Sequence, residues 1–108
     1  MNLSKKIKEL TIENEDYILT FDMKSILVYK KLSGKTFTKG VEGLFQYDDE
    51  ECIYFIASML RRKDNPEEPL AEKVINGNVL DLLISLKLEV IDFVLDSLPT
   101  DDKNSKKK

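Results

Sequence analysis

The sequence predicts an α+β fold, an N-terminal β-hairpin followed by a small bundle of about four helices. Three observations carry that expectation. Residues 5–21 are rich in β-forming side chains around a turn-like cluster, Asn14-Glu15-Asp16; Asp22 and Asp48 stand where helix N-caps are wanted; and the apolar run from Val79 is stopped only by Pro99. A single α+β domain is expected over residues 1–99, since 108 residues suffice for one modest core and not for two.

Residues 5–13 alternate imperfectly, so the first strand either begins near Lys8 or carries a bulge between Ile7 and Leu10, and Tyr17–Phe21 forms its partner. Asp22 caps a helix over Met23–Ser33, and Gly34 supplies the left-handed residue that ends it. Its apolar positions, Met23, Ile26, Leu27, Tyr29 and Leu32, recur at helical spacing. Residues 35–47 hold two glycines and form a loop or short helix pinned by Val41, Leu44 and Phe45. Asp48 and Glu51 make a capping-box pattern opening a helix with Cys52, Ile53, Ile56, Ala57, Met59 and Leu60 on one face. Arg61, Arg62 and Lys63 then complement the negative end of its dipole. The segment 64–69 breaks the chain, and a short helix from Leu70 to Ile75 ends at Asn76-Gly77-Asn78.

The last helix, Val79–Leu98, is the most informative element. Asp81, Ser85, Glu89, Asp92 and Asp96 fall within about 80° of its circumference, which leaves most of the rest apolar. Either the other helices wrap it as a core axis, or part of its apolar surface is kept for a partner. Ile26 and Tyr29 on the first helix, with Leu83, Val90 and Val94 on the last, are the candidate partner-binding residues, the alternative being that all five are core. The same broad apolar face predicts self-association into a homo-oligomer.

The formal net charge of -3 is uneven. Residues 1–100 are acidic, whereas 101–108 hold four Lys against two Asp and no apolar side chain, as a disordered basic tail over 100–108 would. An acidic body argues against a nucleic-acid surface. No apolar run of signal-peptide or membrane-spanning length is present, and one cysteine allows no internal disulfide, so a cytoplasmic protein without membrane contact is expected. There is no histidine, which removes the usual general base and the usual metal ligand. Cys52 reads as a buried structural thiol, Asp48–Glu51 as caps, and no phosphate-binding loop or dinucleotide fingerprint occurs. A non-enzymatic protein with no cofactor and no metal follows.

The stretch Phe21-Asp22-Met23-Lys24-Ser25-Ile26-Leu27-Val28-Tyr29-Lys30-Lys31-Leu32-Ser33-Gly34-Lys35 resembles the first helix of the tail assembly chaperones of long-tailed bacteriophages, in which a strand or hairpin leads into an apolar-spaced helix closing on a Gly-Lys or similar pair. Residues 52–64 resemble that family's second helix, Pro66 to Val79 its short linking helix, and the remainder its terminal helix. Many members carry an acidic residue late in the first helix, where this chain has Lys30 and Lys31. The resemblance implies a protein of the bacterial host cytoplasm, encoded by a phage, a prophage or a tail-like bacteriocin, that coats the tape-measure protein until tube subunits polymerise around it. It also implies a frameshifted long form of the same chain as a further partner, and Lys106-Lys107-Lys108 is compatible with an adenine-rich slippery run. A small structural or connector protein of the virion, and an acidic adaptor that binds a host protein, are the alternatives.

Overall fold

In the computed structural model the described residues are 7–97, and they form an α+β fold. Strands β1 (Ile7–Ile12) and β2 (Glu15–Thr20) make an antiparallel hairpin in unbroken register, from Ile7 opposite Thr20 to Ile12 opposite Glu15. No bulge is needed. The turn falls one residue earlier than the polar cluster suggests, on Glu13 and Asn14, whose φ values of 51° and 68° are those of a type I′ turn and match the twist of the flanking strands. Asn tolerates that conformation through its short polar side chain, and Glu13 adopts it beside it.

Helix α1 (Met23–Ser33) begins as its sequence dictates: the Asp22 carboxylate accepts from the Ser25 amide, and the Ser25 side chain returns to the Asp22 backbone. Gly34, at φ 75°, ends it. Residues 37–45 are a helix rather than a loop, α2 (Phe37–Phe45), because Thr36 caps it and Val41 and Leu44 anchor it to the core. Helix α3 (Asp49–Met59) is capped by Asp48, but only half the expected box forms, since the Glu51 carboxylate turns inward to Tyr29 and Lys35. Helix α4 is short (Glu72–Ile75), and α5 runs Val79–Ser97.

Two expectations about this part of the chain are overturned: Phe45 is 60% exposed and does not pin α2, and the helix expected to run on through Leu60 ends at Met59. Leu60–Arg62 do not continue the helix toward a basic C-terminus; they form β3, which pairs antiparallel with β2 and completes a sheet of order β1-β2-β3. Leu60 lies opposite Leu19, so both apolar side chains enter the core, which outweighs what one more helical turn would supply. Arg61 points to the opposite face and is 1% exposed. There its guanidinium donates to both Asp22 oxygens, at 2.7 and 3.3 Å, to Ser25 Oγ at 3.0 Å and to the Pro66 carbonyl at 3.0 Å. The sheet, the start of α1 and the 64–69 segment are thereby held by one side chain.

The core gathers around α3, whose Cys52, Phe55, Ile56, Ala57 and Met59 are all fully buried. Tyr29 stacks on Phe55 at 4.5 Å and donates to Glu51 Oε1 at 2.6 Å, while Lys35 pairs with the other Glu51 oxygen. Two glycines let α2 press against this group. A Cβ on Gly40 would sit 2.1 Å from Tyr29 Oη, and one on Gly43 would sit 2.4 Å from Glu51 Cγ. Tyr29 is fully enclosed and cannot swing aside. Gly40→Ala is therefore expected to destabilise by about 1–3 kcal/mol through overpacking, although alanine favours a helix over glycine by about 1 kcal/mol. Urea denaturation checks the sign; a stabilised variant would show that α2 can shift away.

Candidate partner-binding surface

Helix α5 fixes the surface by the way it packs. Leu86, Val90, Ile91 and Val94 are buried, against a core that includes α3. The buried arc is set opposite the acidic row, as amphipathicity requires. Between the two lies a shoulder where Leu80, Ile84 and Leu88 recur every fourth residue, exposed to 64%, 73% and 63%. They form one continuous apolar stripe about 12 Å long, from a rise of about 1.5 Å per residue. Nothing among the described residues covers it.

Charges border the stripe unequally. On one side Lys87 is held by Asp49 at 2.6 Å, which ties α5 to the start of α3. On the other side stand Asp81, Ser85 and Asp92, all exposed. Farther round, Glu89 is paired with Lys8 of β1. Asp81 accepts from the Asn78 side chain at 2.7 Å, and neither Asp81 nor Asp92 forms an ion pair among the described residues.

The five residues singled out from sequence separate into two groups. Tyr29, Val90 and Val94 are 0% exposed and belong to the core, so as partner contacts they are corrected. Each sits on the side of its helix that meets α3 or its neighbours, which leaves no surface for a second molecule. Ile26 and Leu83 are half-buried. The sequence pattern does not single out Leu80, Ile84 and Leu88, because the centre of the apolar arc is the direction that packs into the core. The signal that finds them is adjacency to the acidic row: apolar positions next to charged ones lie at the edge of the packed face.

A second, smaller apolar pair, Met23 and Leu27, is exposed on α1, where Ser25 and Tyr29 form the buried side instead. A cleft of about 610 Å³ lies between the hairpin turn, β3, α4 and the start of α5. Its floor includes Ile12, Leu60 and Leu82, and its rim includes Arg62, which is engaged by Glu15 and Asp64. Burial pushes the Cys52 thiol up to about 11, so it is a thiol and not a nucleophilic thiolate at neutral pH. No cluster of three or more His, Cys, Asp or Glu side chains suited to a metal occurs among the described residues. No helix among the described residues is long and apolar enough to cross a membrane. The expected basic tail, residues 100–108, lies outside the described residues. Comparisons with protein-family models, with curated proteins and with solved structures gave no match.

Proposed function

We propose that this protein binds a helical segment of another protein on the Leu80-Ile84-Leu88 stripe, in the role of the tail assembly chaperones its sequence resembles. The client is the tape-measure protein, held in the bacterial host cytoplasm before tube subunits replace the chaperone. What supports the reading is the stripe itself, since exposed Leu and Ile at fourth-residue spacing present the surface that helix-on-helix recognition uses. A stripe of three exposed side chains presents less than the roughly 800 Å² per partner of a stable complex, so each contact is weak. Weak contacts suit a client along which many copies bind and are later displaced.

Co-expression with the tape-measure protein from the same genome tests the proposal. Ile84→Glu is expected to abolish co-elution while leaving the circular dichroism spectrum and melting curve unchanged, because Ile84 is 73% exposed and packs little. Co-elution that survives the substitution would overturn the assignment of the stripe as the client surface.

A further inference from the structure

The flanks of the stripe define its partner more narrowly. We infer that the occupant is an amphipathic helix carrying Lys or Arg along one edge of its apolar face, placed to meet Asp81 and Asp92. This rests on the reading that α5 binds a helix and adds the charge pattern of that helix.

Among the described residues, Asp81 and Asp92 of α5 form no ion pair. The helix contains four acidic residues, Asp81, Glu89, Asp92 and Asp96, against one basic residue, Lys87. Lys87 is held by Asp49 and Lys8 by Glu89, and Lys73, which lines the same cleft as Asp81, forms no ion pair with it among the described residues. Asp81 and Asp92 lie three turns apart on the same border of the stripe, and both are exposed. A helix seated on Leu80, Ile84 and Leu88 brings its own flanking side chains alongside that border. Cations there gain attraction as the interface closes, and carboxylates there are repelled.

The same geometry selects against a second copy of this chain. When two identical helices pack antiparallel about a two-fold axis through Ile84, each flank stays on its own side of the interface. Asp81 and Asp92 of one copy then line the same edge as those of the other, four carboxylates with no cation between them. A parallel pairing sets the acidic border against Lys87, which Asp49 already holds. A basic-edged helix of another protein meets neither obstacle.

Three designed three-heptad peptides with identical leucine stripes, differing only in having Lys, Gln or Glu along one edge, test the inference by fluorescence anisotropy against the full chain. The Lys peptide is expected to bind about tenfold more tightly than the Glu peptide in low salt, with the Gln peptide between, from two exposed charge contacts. The gap is expected to narrow in about 1 M salt and to vanish in the double variant Asp81→Asn, Asp92→Asn. Equal binding of the three, or a gap that persists in the double variant, overturns the charge assignment and leaves the helix-binding reading standing. No binding of any peptide overturns both. A chain that dimerises through the stripe, with dimerisation lost in Ile84→Glu, overturns the inference in favour of a second copy.

Discussion

Arg61→Ala is expected to lower the unfolding free energy by about 3–5 kcal/mol, the range for removing one partner of a buried ion pair. Arg61 is 1% exposed and donates to Asp22, Ser25 and the Pro66 carbonyl, so alanine removes four hydrogen bonds and leaves the Asp22 carboxylate beside a void. The pH dependence identifies the cause. Burial alone would raise the Asp22 carboxyl, but the bonds from Arg61 and the Ser25 amide outweigh it and hold it at about 2, below its ordinary 3.8. A depressed pKa contributes stability that is fully present above the unfolded value and is lost as pH falls through the folded one. The advantage of the natural chain over the variant should thus be full at pH 5–7 and shrink between about pH 4 and pH 2. Denaturant titrations across that range decide the matter. A loss below about 1 kcal/mol would place the pair with ordinary surface contacts.

Tyr29→Asp and Val94→Asp are each expected to unfold the protein at room temperature. Both side chains are 0% exposed, one against Phe55 and the other on the inward side of α5. An unpaired carboxylate in such a site costs several kcal/mol after relaxation, a large share of the roughly 5–15 kcal/mol that holds a domain together. Far-UV circular dichroism and the elution volume report the outcome. A folded variant with lost client binding would restore these residues to the interface. Ile84→Glu is the contrasting control, being the same kind of change on the exposed shoulder of the same helix.

The hairpin, the two capped helices and the long terminal helix were legible because each is specified locally. Asp22 and Gly34 bracket α1 within a few residues of the bonds they make, and the type I′ turn needs only Asn14 and its neighbour. The strand β3 was not legible. Leu60-Arg61-Arg62 carries no β signal of its own, and its partner strand and the acid that takes up Arg61 are some forty residues earlier. A basic triplet after a helix reads as a dipole complement until the tertiary pairing is known. On α5 the sequence located the apolar arc but not its division, because hydrophobicity does not distinguish the centre of a face, which packs, from its shoulder, which stays open.

The direct passage from α3 into β3 has a mechanical consequence. Met59 ends the helix and Leu60 begins the strand, with no loop residue between. A loop is where a chain absorbs rotation, and here there is none, so α3 cannot turn about its axis without dragging the register of β3 against β2. The end of the central helix and the edge strand of the sheet are therefore coupled, and α5, which packs on α3, is joined to the sheet through that helix.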